Sequence, residues 1–278
     1  MGAATSLHIR CKAYYIIDRR RRNRTDRHDT AGIGAKSIEA HGGLDKFNRI
    51  QAVDVVVERS GLLWRRKGHQ ERALVTATIQ IDPPKVTYNN LAGDKKGSNV
   101  RFIWTPKLAW KEPPDGNVIE SRENARASFE GHAWDSPWDR MHLIHFAGQA
   151  LWNYICAPFY FSWPGFELRK VGTERVEFDQ VWDVLEVTFP DDMPTHEKRQ
   201  KFYFDRRGVL RRLDYNSDFV KAGSAAHYLY DLRAVDGLVW PMLRRAVRFP
   251  QGIIEGGPAA VMLNFSEIKV RFKHEEKL

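Results

Sequence analysis

The stretch DSPWDRMHLIHFAGQALWNYICAPFYFSWP, residues 135–164, decides how the rest of this 278-residue chain is read. It opens with helix-start chemistry: Ser136 is a capping residue, Pro137 suits a first helical position, and Asp139 complements the dipole of an N-terminus. Pro158 closes it, because proline removes a backbone donor and clashes with the preceding turn. The pattern predicts a helix over Pro137–Cys156. At about 100° per residue that helix has two faces. One carries Leu143, Ile144, Ala147, Ala150, Leu151, Tyr154 and Ile155, which is the composition of a core contact. The other carries Trp138, His142, His145, Gln149, Trp152, Asn153 and Cys156, a mixture of aromatic and neutral polar groups.

Almost everything on either side reads as strand. From Ala52 the apolar period becomes two, with Val53, Val55 and Val57 alternating with Asp54 and Glu58. Ala73–Ile81 alternates cleanly and is closed by Asp82-Pro83-Pro84. Val86–Leu91, Asn99–Thr105, Leu108–Lys111 and Val118–Arg122 complete the set before the helix, with Pro113-Pro114-Asp115-Gly116 as turn chemistry. After the helix, strands are predicted over Phe166–Val171, Val181–Phe189, Lys201–Asp205, Val209–Tyr215, Ala225–Arg233, Leu238–Phe249 and Ala259–Phe272. Lys36–Ile50 reads as a short helix, a Gly42-Gly43 break and a second helical turn. One apolar helix inserted midway through a β-rich chain implies a mainly β (α+β) fold. The expected form is a curved antiparallel sheet, an incomplete barrel, wrapped around that central helix.

Composition bounds the function. The chain is 42% hydrophobic and 28% charged, a globular balance, and its nine tryptophans and fifteen phenylalanines suit a wide core or an apolar cavity. Its net charge of +9 is unevenly placed: residues 1–40 hold nine Lys/Arg against four Asp/Glu, so +5 lies in that first segment. Residues 1–34 therefore read as a disordered basic tail, and 35–278 as a single half-barrel domain. The interspersed charge of the folded part gives no nucleic-acid signature. Leu143–Trp163 lacks formal charges, but His145, Gln149, Asn153, Pro158 and Pro164 argue against a membrane span. No secretory signal is visible, so the expected compartment is the cytoplasm. Cys11 and Cys156 form no disulfide or metal-site pattern, and Cys156 reads as a small buried hydrophobe.

His142 and His145, three residues apart, share a helix face as a metal or acid–base pair requires. No HExxH, CxxC or GxSxG pattern supplies partners, so neither a metal nor another cofactor is expected. The segment 189–215 holds Asp191, Asp192, His196 and Glu197 in a loop, then Tyr203, Asp205, Arg211, Arg212 and Asp214 on strands. Asp205, Asp214, Asp231, Arg211, Arg212, Arg244 and Arg245 are expected to pair across strands on the outer sheet surface. Either Tyr228 and Tyr230 or His227 and Leu229 point inward; alternation alone leaves that open.

The segments AHGGLDKFNRI, GLLWRRKG, WDRMHLIHFAGQALWNYICAPF and THEKRQKFYFDRRGVLRRLDY, in this order, resemble an uncharacterised bacterial protein family over residues 38–272. More remotely, the architecture is similar to the lipoprotein-carrier and outer-membrane lipoprotein-sorting superfamily. That resemblance implies an incomplete antiparallel barrel enclosing an apolar cavity closed by helices. The expected function is binding or carriage of a hydrophobic or amphipathic, lipid-like small molecule in an aromatic-lined cavity. His142, His145, Gln149, Trp152 and Asn153 from the helix, and Tyr203, Tyr215, His227 and Tyr230 from the sheet, are the candidate ligand-binding residues. Two alternatives stay open: a metal-assisted or acid–base enzyme using His142 and His145 with His196 or His227, and a non-catalytic structural or interaction protein.

Overall fold

The computed structural model describes residues 32–93, 99–175, 180–221, 223–248 and 258–273. The basic segment 1–31, with Cys11, lies outside the described residues. The described chain begins with helix α1 (32–40), whose first three residues fall in the segment read as tail, and α2 (Leu44–Asn48) follows across the expected glycine break. Strand β1 (Ile50–Ser60), helix α3 (Leu62–Arg66), and strands β2 (Ala73–Gln80), β3 (Lys85–Asn89), β4 (Arg101–Trp104), β5 (Leu108–Glu112) and β6 (Glu120–Glu123) precede the central helix α4 (Arg140–Cys156). Strands β7 (Glu167–Arg175), β8 (Val181–Thr188), β9 (Arg199–Phe204), β10 (Leu210–Asn216), β11 (Ser224–Val235), β12 (Leu238–Arg248) and β13 (Val261–Phe272) complete the fold.

These strands form one open antiparallel sheet of thirteen, in the order β6-β5-β4-β3-β2-β1-β13-β12-β11-β10-β9-β8-β7. It is two meanders, β1–β6 and β7–β13, joined by the long pairing of β1 with β13 (Val53 opposite Val270, Val57 opposite Phe265). Every link within a meander is local, whereas the chain between β6 and β7 must travel from one sheet edge to the other. Helix α4 lies on that crossing. It packs on β2, β3, β4 and β5, and its Tyr154 also reaches His227 of β11 and Arg244 of β12. A single helix touching both halves requires a sheet curved around it.

Strand alternation builds the concave face. On β1 and β2, Val53, Val55, Val57, Val75, Ala77 and Ile79 are buried, while Leu74 of the opposite parity is exposed. Helix α4 approaches β4 so closely that a Cβ on Gly148 would lie 2.3 Å from Trp104 Cβ. The helix starts at Arg140, not at Pro137. Asp139 is the cap, accepting from the His142 amide at 2.9 Å while His142 Nδ1 accepts from the Asp139 amide at 3.3 Å. This is a capping box with histidine in place of Glu or Gln. Ser136 instead accepts from the Ala133 amide. The fully buried Lys67, just past α3, donates to the carbonyls of Ala133, Trp134 and Ser136 at 3.0, 2.7 and 3.2 Å, and its own carbonyl accepts from Trp138. That clamp fixes the start of α4. Among the described residues no helix is long and apolar enough to cross a membrane.

Candidate functional site

Helix α4 is buried on both of its faces, so the mixed stripe read from sequence meets protein rather than open space. The structure divides that stripe into three environments. At the N-terminal end, His142 is occupied structurally: besides the capping box, its Nε2 lies 3.1 Å from Ser128 O and its ring meets Phe129 edge-on at 4.7 Å. On the β4 side, Trp152 donates to Ile81 O at 3.3 Å and packs against Trp104 and Trp163. Trp152 and Trp163, with Phe47, Ile50 and Phe166, wall an open groove of ≈ 590 Å³ at the C-terminal end of the helix.

The third environment faces β10–β12. Here Gln149, Asn153 and Tyr154 of α4 meet His196 from the loop before β9, Tyr215 of β10, His227 of β11 and Arg244 of β12, every one buried. Asn153 Nδ2 donates to Pro194 O at 2.6 Å, pinning that loop to the helix. Gln149 Nε2 lies 3.5 Å from His196 Nδ1, and the His196 ring stacks on Tyr215 at 5.2 Å. Tyr215 Oη lies 3.3 Å from His227 Nδ1 and is hydrogen-bonded to Tyr154. Arg244 donates to Tyr154 O at 2.9 Å, and its guanidinium sits 4.6 Å from the centre of the Tyr154 ring. His145 is one turn away, among Phe129, Phe219 and Trp104.

Burial sets the charge states. It lowers the His145 pKa to about 4 and that of His196 to about 3, in both cases helped by Arg126, and pushes His227 well below the usual imidazole range. Burial also lowers the Arg244 guanidinium, to about 10. It raises the Tyr154 and Tyr215 phenols. At neutral pH the cluster is therefore one cation among neutral groups. Imidazoles held this far from neutrality make poor proton-transfer catalysts. Among the described residues no three His, Cys, Asp or Glu side chains are placed to hold a metal ion.

Sequence and structure part company on the outer face. Tyr203 donates to Asp214 at 2.7 Å beside Arg212, which bridges to Asp214 at 2.6 Å and covers the Tyr203 and Tyr228 rings. Tyr230 stacks on Tyr228 and is exposed. His227 and Leu229 take the inward parity. Tyr203 and Tyr230 are thus separated by the sheet from His145, Gln149, Asn153, Tyr215 and His227, which the structure does bring together. Asp205 pairs with Arg211 at 2.8 Å on the sheet as expected. Arg244 does not join those outer pairs: it is interior, with 3% of its surface exposed. A signal for it was present, since Leu238, Trp240, Met242 and Ala246 share its parity and are all buried.

Between α4 and the β1–β3/β13 part of the sheet lies an apolar cavity of ≈ 40 Å³, walled by Val57, Val75, Leu91, Phe146, Leu151 and Leu263. Tyr154 lines it too, so the cavity and the polar cluster share a wall.

No family model matches the chain, and no curated protein matches it. Solved structures do. A domain assigned to outer-membrane lipoprotein sorting, from Vibrio parahaemolyticus, superposes with a TM-score of 0.52 at 11% identity, covering 90% of this chain and 95% of that one. A DUF1329 family protein from Desulfovibrio piger gives a TM-score of 0.52 at 11% identity, covering 87% of this chain and 92% of that one. The chain therefore shares the fold of these two proteins along most of its length. At this identity the likeness is one of fold.

Proposed function

We propose that this protein binds and carries a hydrophobic or amphipathic, lipid-like small molecule between α4 and the concave face of the sheet. The observation that carries the reading is the apolar cavity beneath α4, walled by the helix and the central strands, with the buried Arg59 as the one charged residue among its lining. Pockets for small molecules occupy about 300–1,000 Å³, whereas this cavity is ≈ 40 Å³. Cargo therefore enters only as α4 lifts or side chains part, and the ≈ 590 Å³ groove beside Trp152 and Trp163 is the natural mouth. Burial at roughly 25 cal/mol per Å² of apolar area supplies the driving force. The fold shared with the lipoprotein-sorting domain is consistent with this use.

The test is a titration of delipidated, detergent-free protein with the neutral apolar dye Nile red. Saturable binding at one site, displaced by a long-chain lipid, is expected. Linear, non-displaceable partitioning of the dye would refute carriage.

A further inference from the structure

Arg244 presents a problem that the folded chain leaves unsolved. It is a buried cation with no carboxylate in ion-pair contact among the described residues; the neighbours acting on it are Tyr154, Tyr160 and Tyr215. The nearby acid, Asp205, is committed to Arg211 and to the backbone amides of Arg207 and Val209. The other cation near the cluster, Arg126, is matched by Asp218 at 2.8 Å. Buried charges are normally paired, because an isolated one is among the costliest groups to keep out of water.

The hydrogen-bond inventory points the same way. Arg244 Nη1, His196 Nε2 and His227 Nε2 are all buried without a partner. The Gln149 amide faces His196 Nδ1 as a donor, which places the His196 proton on Nε2. Tyr215 Oη, hydrogen-bonded to Tyr154, lies 3.3 Å from His227 Nδ1, so His227 Nε2 carries the proton when that hydroxyl donates to the ring and is a bare acceptor when it donates to Tyr154. The charged Arg244 Nη1 and the His196 N–H are donors left wanting an acceptor, and His227 Nε2 is unmet as well. Leu263 pairs with Arg244 across β12–β13, and Leu263 and Tyr154 both line the apolar cavity. A polar end and an apolar end thus adjoin.

We propose that the cargo is an anionic amphiphile, whose carboxylate or phosphate head is held by Arg244 with His196 and His227 while its chain runs past Tyr154 and Leu263 into the cavity. This rests on the carriage reading and narrows it. An oleyl chain bearing three different heads tests it by calorimetry on delipidated protein: oleate, oleyl phosphate and oleyl alcohol. The anionic ligands should bind about thirty-fold more tightly than the alcohol, or better, since losing one partner of a buried charge pair has at least that effect. In Arg244→Met, checked for folding by circular dichroism, that preference should vanish while the alcohol still binds. If the alcohol matches oleate in the wild type, or if folded Arg244→Met keeps the preference, the anionic site is wrong and carriage stands. If none of the three binds, both readings fall. Should Arg244→Met not fold, Arg244→Lys replaces it, with the preference expected to fall about tenfold; an unchanged preference overturns the assignment. A preference for oleate over oleyl phosphate, or the reverse, identifies the head group.

Discussion

Gly148→Ala tests how tightly α4 is seated. In an exposed helix this change would stabilise by about 1 kcal/mol. Here the added Cβ would stand 2.3 Å from both Cβ and Cγ of Trp104 and 2.8 Å from Cδ2. Carbon–carbon contacts are optimal at about 3.5–4.0 Å, so at least about 1 Å must be made up. Trp104 is fully buried, and its Cβ is fixed to a β4 backbone paired with both β3 and β5, so no rotamer relieves the overlap. The helix itself must move. Overpacking of this kind costs about 1–3 kcal/mol, a Tm decrease of roughly 3–10 °C for a chain of this size. Thermal unfolding followed by circular dichroism measures it. A second readout is Cys156 at the end of the same helix, fully buried and with its thiol pushed well above its usual pKa by burial. Its alkylation in the native protein should be slow in the wild type and faster in the variant. An unchanged or raised Tm would mean that α4 does not rest on β4, and the description of a filled interior would be wrong.

Further outcomes follow from the charge states and from the two sheet faces. His41, His145, His196 and His227 are all held neutral by burial, with pKa values of about 4 for His41 and His145 and about 3 for His196. The unfolded chain protonates them below about pH 6.5 and so binds more protons than the folded one; stability must fall as pH drops from 6.5 toward 4, by at most about 1.4 kcal/mol per pH unit per histidine. Denaturant midpoints at pH 7.0, 5.5 and 4.5 check this, and a flat profile would show that these rings are not buried. Tyr203→Phe removes a hydrogen bond to the outer-face Asp214. It should cost about 1–2 kcal/mol and leave Nile red affinity unchanged, whereas weakened dye binding would return Tyr203 to the site.

Much of the fold was legible because its information is local. Period-two runs such as Ala73–Ile81 and turns such as Pro113–Gly116 marked the strands, and Pro158 marked the helix end, which the structure places at Cys156. Helix α3 was not legible: LLWRR is too short to show periodicity, and its N-cap is Gly61, at φ 122°, where an added Cβ would stand 2.5 Å from Ala260 O. The helix start was displaced because Ser136 and Asp139 are both capping types, and a histidine completing the box is not a familiar pattern. The site was half legible. His145, Gln149 and Asn153 were found from one helical face, but what meets them comes from three strands and a loop far along the chain. Arg244 was misplaced because an Arg244-Arg245 pair resembles surface charge, although strand parity allows only one of the two to face outward.

The most direct test of the account is to locate a bound chain by paramagnetic relaxation. A stearate carrying a nitroxide midway along its chain, bound to isotopically labelled protein, should broaden resonances of Ala150, Leu151 and Val75 around the cavity and spare Tyr203, Tyr228 and Tyr230 on the outer face. Broadening confined to the outer face, with Ala150 and Leu151 untouched, would contradict it.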